Sequence, residues 1–223
     1  MPFATLSFLL VTLVSSATAQ VPVGPLSEWL SPERFASTAA MNDTEILRHV
    51  NSLRSDPRSW SKLVDTLIGV YRSGNPPRMI QHLLGTEGAS LLAEVRSFLD
   101  TVTPVRPVRI RQCLRRVATL HARDVARHPT QIVHTSSNGT TLTQRVLGEC
   151  PNAEAFGECI DHLSSSAPTV ILRLLFDPDV PGRGHRSTLF DPEYAAVGIG
   201  GAPCARHPIL GNGYVVVLTF AND

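Results

Sequence analysis

The sequence predicts an α+β fold, an α-β-α sandwich with a small central sheet and helices on both of its faces. Three observations predict it. Apolar residues recur at helical spacing as far as about residue 127. Beyond residue 130 short strand-like runs replace them. The last run, Tyr214 to Ala221, carries Tyr214, Val216, Leu218 and Phe220 on one face and Val215, Val217, Thr219 and Ala221 on the other. A strand apolar on both faces needs cover on both sides. The chain has 223 residues, 43% hydrophobic and 17% charged, which is a globular composition. A net charge of +1 excludes binding to nucleic acid by bulk charge. No linker interrupts residues 42 to 221, so they form one domain, and no repeat period appears.

The first helix carries Ile46, Leu47, Val50 and Leu53 and stops at Ser55-Asp56-Pro57. Asp56 is placed to cap a second helix, with Pro57 in its first turn. That helix puts Trp60, Leu63, Val64 and Leu67 on one face. Residues 72 to 80, with Gly74 and Pro76-Pro77, read as a loop. A third helix starts near Thr86 and carries Leu91, Leu92, Val95, Phe98 and Leu99; a fourth covers about 108 to 127. Phe156 to His162 and Tyr194 to Ile199 read as strands, with a helix from Pro168 to Phe176 between them. Ser164-Ser165-Ser166 reads as a loop and helix cap.

Residues 1 to 19 hold a short apolar run, Leu6 to Val14, then Ala17-x-Ala19. This is the pattern of a secretory signal peptide cleaved before Gln20. Residues 20 to 40 form a lead-in and 41 to 223 the folded domain, which is expected to be extracellular. No later run reaches the ~20 apolar residues of a membrane span. Export makes Cys113, Cys150, Cys159 and Cys204 readable as two disulfides. Four cysteines allow three connectivities. The short loop between Cys150 and Cys159 favours that pair, which leaves Cys113 to Cys204. Sequons for glycosylation stand at Asn42 and Asn138.

Three polar islands carry the chemistry: His134 to Gly139, Gly157-Glu158-Cys159, and Asp177 to Arg186 with Gly184-His185. Two imidazoles and two carboxylates from these islands form a plausible first shell for zinc or another divalent cation. An ion-pair network of the same residues is the competing reading. His121, on an apolar helix face, reads as a core histidine. The stretch Arg106 to Arg127 holds seven arginines and the acid Asp124; a solvated helix face is favoured over a contact with anionic lipid or glycan.

The segments HTSSNGTTLTQRV (134–146), GECI (157–160), DPDVPGRGHRSTLFDPEYAAVGIG (177–200) and YVVVLTFA (214–221) resemble the CAP superfamily. That superfamily groups the cysteine-rich secretory proteins, the antigen 5 allergens and the plant pathogenesis-related class one proteins. The likeness is to its microbial, SCP-domain branch, and EILRHVNSLRSDP (45–57) resembles the family's opening helix. The resemblance implies a secreted binding module without enzymatic activity, whose relatives bind divalent metals, lipids or sterols. A metal-dependent hydrolase, such as a peptidase, or a lipid or sterol carrier are the alternatives. The family's His–acid cleft tetrad falls on His134, Glu158, Asp177 and His185, with Asp179 as the other choice of second acid. Cys159 stands where the family has an asparagine, and an aspartate stands where it has its second glutamate. The partner is an extracellular molecule or lipid, not nucleic acid.

Overall fold

The computed structural model describes residues 42–128, 133–164, 166–207 and 211–222. The signal-like segment and the lead-in lie outside them. The described chain runs α1 (Asp43–Ser55), α2 (Pro57–Arg72), α3 (Arg78–Leu84), α4 (Ala89–Thr101), β1 (Arg109–Ile110), α5 (Gln112–Arg127), α6 (Leu142–Glu149), β2 (Phe156–Ser164), α7 (Ala167–Phe176), α8 (Gly184–Leu189), β3 (Ala196–His207) and β4 (Gly211–Ala221). The four strands form one sheet in the order β1-β3-β4-β2. β4 pairs antiparallel with both β2 and β3, and β1 adds a short parallel edge to β3.

Helix starts follow local chemistry. Asn42 caps α1 by accepting from the Thr44 N–H at 2.9 Å. Asp56 accepts from Ser59 N–H, with Pro57 opening α2 as expected. Ser166 caps α7, whose first turn holds Pro168. Three short helices fall outside the sequence expectation. Part of α3 lies in the stretch read as a loop, and α6 and α8 have eight and six residues. So few turns cannot establish a helical period. The fourth predicted helix starts later than expected, because Arg109 and Ile110 pair with β3 first.

The sheet is covered on both faces, as β4 requires. On one side Cys159, Val197, Ile199, Val216, Leu218 and Phe220 join α1 to α4 and α7 in the larger core. On the other, Ile160, Ala202, Cys204, Val215 and Val217 meet Ala118, Ala122 and Val125 of α5. Beside them Leu114, Val117, Val146 and Cys150 join α5 and α6 to Ala196 and Ala221. Two glycines let α5 lie directly on β3. A Cβ on Gly198 would stand 2.0 Å from the Leu114 carbonyl carbon, and one on Gly200 2.3 Å from the Thr119 nitrogen.

The disulfide differs from the expected pair. Cys113, in the first turn of α5, bonds Cys150 at the end of α6, with Cα atoms 5.6 Å apart. Cys159 and Cys204 are buried free thiols. The reason is the strand alternation: Cys159 faces the larger core and Cys204 faces α5, so the sheet separates them. Cys150 sits on the α5 side with Cys113, where Cys159 does not point.

Candidate functional site

Glu158 leaves β2 on the α5 side and is 6% exposed. Arg145 holds it with two hydrogen bonds from Nη2, at 3.0 and 2.9 Å. A buried carboxylate needs such a partner, and a guanidinium is the geometric match. Arg145 is placed by α6, whose start is a reciprocal capping box between Thr141 and Gln144. Its Nη1 also donates to the backbone oxygens of His134 and Thr140 and to Ser136 Oγ. The same Glu158 carboxylate contacts His134 Nδ1 at 3.0 Å and lies 3.6 Å from His121 Nε2. His134 keeps 54% of its side chain exposed, whereas His121 is buried on α5. Burial pulls the His121 pKa below the usual histidine value, against the opposing pull of Glu158. His121 Nε2 lies 3.1 Å from Val133 O and its Nδ1 3.3 Å from Ser136 Oγ.

The second pair belongs to the α7 side. Asp177 ends α7 in the left-handed region, φ 51°, without being glycine. Its carboxylate stays buried and secures the turn. Oδ1 meets His185 Nδ1 at 2.7 Å, and Oδ2 accepts the His185 backbone N–H at 2.9 Å. Asp179 and Arg183 are left-handed too. Asp179 turns away to the Thr86 backbone and hydroxyl. Arg183 binds Glu87, Glu94 and the Asp177 carbonyl. Arg186 is 4% exposed and seals the C-terminus of α7 by donating to Leu175 O and Phe176 O. It also pairs with Glu94 and lies 5.1 Å from the Phe98 ring centroid. The Gly-His-Arg block is thus one clamp: His185 faces Asp177, and Arg186 locks the helix that carries Asp177.

Helices on both sides of a sheet of this topology, with a His–carboxylate pair on each side of its β2 edge, set the frame for comparison. The family model of the cysteine-rich secretory protein family, CAP, matches residues 47–220. The chain belongs to the CAP family. Two solved structures are similar to this CAP chain. One is an extracellular protein containing an SCP domain from Bacillus anthracis, at 17% identity and a TM-score of 0.42, covering 64% of this chain and 40% of that one. The other is a cysteine-rich secretory protein from Staphylococcus aureus, at 15% identity and a TM-score of 0.37, covering 60% of this chain and 38% of that one. The chain therefore spans about two fifths of the length of either. None of the curated proteins matches it by sequence. No described helix is long and apolar enough to cross a membrane.

The four CAP positions are brought together in twos. His134 is with Glu158 and His185 with Asp177. Among the described residues no three His, Cys, Asp or Glu side chains form a group that could hold a metal ion. Of the two imidazoles and two carboxylates expected from the sequence, each imidazole is hydrogen-bonded to one carboxylate. The carboxylates are spent: Glu158 on Arg145 and His134, Asp177 on His185 twice. What the pairs leave for a metal is imidazole Nε2, which has no hydrogen-bond partner among the described residues in His134 or His185. Asn138 is exposed in the turn just after His134, and Gly139 has φ +84°, as the Asn-Gly signal implies. Asn42 is exposed at the start of α1.

Sequence reasoning missed Arg145 and underrated His121. The capping pattern Thr141-x-x-Gln144 was the available signal for α6 and hence for Arg145. His121 is the buried helix histidine that was expected, but it also belongs to the Glu158 cluster. His162 Nε2 lies 3.7 Å from the Cys204 thiol on the same sheet face.

Proposed function

We propose that this CAP chain is a secreted, extracellular binding module whose working atoms are the Nε2 nitrogens of His134 and His185. One observation carries the reading. Each imidazole is anchored through Nδ1 on a buried carboxylate, at 3.0 Å to Glu158 and 2.7 Å to Asp177, while its side chain stays 54% or 23% exposed. A fixed ring with an outward nitrogen is suited to ligation or to hydrogen bonding a partner, because its orientation is set before the ligand arrives. Zinc or another divalent cation is the ligand the donor set suits best. Such an ion would be held by His134 and His185, with Glu158 and Asp177 fixing the ring orientation. When bound, it would bridge the module to further donors from a partner. The signal-like segment, with its Ala17-x-Ala19 site, supports export.

Zinc titration of the purified chain by calorimetry tests the site. Wild type should show saturable binding, and the variant carrying His134→Ala with His185→Ala should lose it while keeping cooperative unfolding. Equal titration curves for both would remove the site. Glu158→Gln should weaken binding by about 10–100-fold, the usual cost of losing a carboxylate behind a histidine ligand. N-terminal sequencing of exported protein should begin at Gln20; retention of Met1 would remove the export assignment.

A further inference from the structure

We infer that the outward line of α5, formed by Arg116, Leu120, Arg123 and Arg127, is a docking surface for an anionic polysaccharide, separate from the exposed histidines. The line follows from helix geometry. Its members stand at i, i+4, i+7 and i+11, which fall on one side of a helix and span about 16 Å of its axis. The opposite side of α5, with Leu114, Val117, Ala118, Ala122 and Val125, is buried against the sheet. All four members of the line are exposed, Leu120 by 56%.

The charges on this line are not arranged for helix stability. Arg123 and Arg127 lie one turn apart, a spacing at which like charges repel. The single acid of α5, Asp124, stands three residues before Arg127, within reach for an ion pair. It instead accepts from the Ser137 N–H at 2.7 Å and from the Ser137 hydroxyl. Arg115 pairs with Asp43 and Arg116 with Glu149 of α6, whereas Arg123 and Arg127 have no ion-pair partner among the described residues. A helix face that serves solubility alone mixes signs at these spacings. Here two guanidiniums meet water unneutralised, beside a third held only by a surface pair, which is weak. An anion laid along the line relieves their repulsion.

The side chains select the kind of polyanion. A guanidinium fork meets a two-oxygen anionic group in parallel hydrogen bonds. Leu120, between the cations, offers an apolar contact for the C–H face of a sugar ring. Single-stranded nucleic acid asks for aromatic side chains on which its bases stack, and α5 has no Phe, Tyr or Trp. An anionic membrane asks for an apolar helix face turned outward, and that of α5 is spent on the sheet. A polysaccharide carrying carboxylate or sulfate groups needs neither.

The test is calorimetric titration of the full exported chain with heparin, at about 0.15 M salt and with EDTA present so that no metal occupies the histidines. Wild type should bind saturably, and its affinity should fall as salt rises, because a polyanion releases condensed counterions on binding. Arg123→Gln with Arg127→Gln should weaken binding about 30-fold, the scale of two cations at an anionic surface. Glutamine keeps the helix propensity of arginine, so the fold should persist. Leu120→Glu, which sets a carboxylate between the cations, should weaken binding as well and gives a second reading should the double variant fail to unfold cooperatively. The charge-matched control, Arg58→Gln with Arg72→Gln on α2, should bind like wild type, and so should His134→Ala with His185→Ala. Vesicles of phosphatidylglycerol should not displace heparin. Absence of saturable binding by folded wild type overturns the inference. An equal loss in the α2 control overturns it too, since bulk charge would then be the cause. Loss in the double-histidine variant would place the polyanion at the histidines, and displacement by vesicles would assign the line to a membrane; either result overturns the inference.

Discussion

Arg54 places a heavy demand on its surroundings. It is fully buried on α1, and burial lowers its pKa to about 10. Its guanidinium stays bound because it donates to the carbonyls of Arg106, Leu189, Asp191 and Tyr194. These four carbonyls come from the loop before β1, the last residue of α8 and the segment between α8 and β3, so one side chain ties these stretches to α1. Arg54→Met keeps the volume but strands the carbonyls. It should lower unfolding stability by about 3–5 kcal/mol, measured by urea denaturation. A loss under about 1 kcal/mol would mean that solvent takes over these carbonyls.

At the scale of elements, α5 is held to its neighbours by a covalent bond and by close approach. Cys113–Cys150 closes a segment of 37 residues between α5 and α6. Chain-entropy reasoning gives such a loop about 4 kcal/mol, so Cys113→Ser with Cys150→Ser should destabilise the protein by that order. Thiol titration of wild type should find two thiols after denaturation and none reactive in the native state. Cys159 is held in its thiol form by burial first and by the nearby Asp177 and Glu158 charges second. Native reactivity at two thiols would contradict this arrangement. The contact of α5 with β3 is as exacting. Gly198→Ala would drive a methyl group into the Leu114 backbone, which cannot rotate away as a side chain can. A loss of about 3 kcal/mol or more is expected by thermal or urea unfolding, larger than for Gly148→Ala, where nothing stands within 4 Å of the added carbon.

Across the whole molecule, acid stability should be governed first by buried histidines. His49 packs edge-on to Trp60 in the larger core, and desolvation, then Arg48, lowers its pKa to about 4. His121 is shifted the same way by burial. Each is neutral when folded and binds a proton more readily when unfolded. Their contribution is complete above pH ~6.5 and is lost as pH falls. For His49 the loss runs from about 6.5 to about 4 and amounts to about 3 kcal/mol. Glu94, whose pKa is lowered to about 2 by Arg183 first, gives way in a lower window, below pH ~4.5. Stability measured by urea denaturation at pH 7, 5.5 and 4 should therefore decline before the carboxylates titrate. His49→Phe should flatten the upper part of that decline; an unchanged slope would show that His49 is charged in the folded chain.

Much of this organisation was legible in the chain. The two-faced β4, the caps at Asp56 and Ser166, and the long amphipathic helices depend on near neighbours, whose spacing is visible in one dimension. The blocks at 134–146, 157–160 and 177–200 placed the chain in the CAP family for a related reason: motif order survives without coordinates. What escaped depends on contacts between distant segments. The cysteine pairing followed from which sheet face each thiol occupies, and loop length does not determine a face. Asp177 and Asp179 are two residues apart, yet opposite turns of a left-handed loop send one to His185 and the other to Thr86. Arg145 reached Glu158 only because a short helix, too brief to show a period, carries it there. By itself the sequence determined the layers of the sandwich, since apolar periodicity demands burial wherever it occurs. Only the tertiary structure decided the partners of the buried charges, because a charge is satisfied by whichever group folding brings within hydrogen-bond reach.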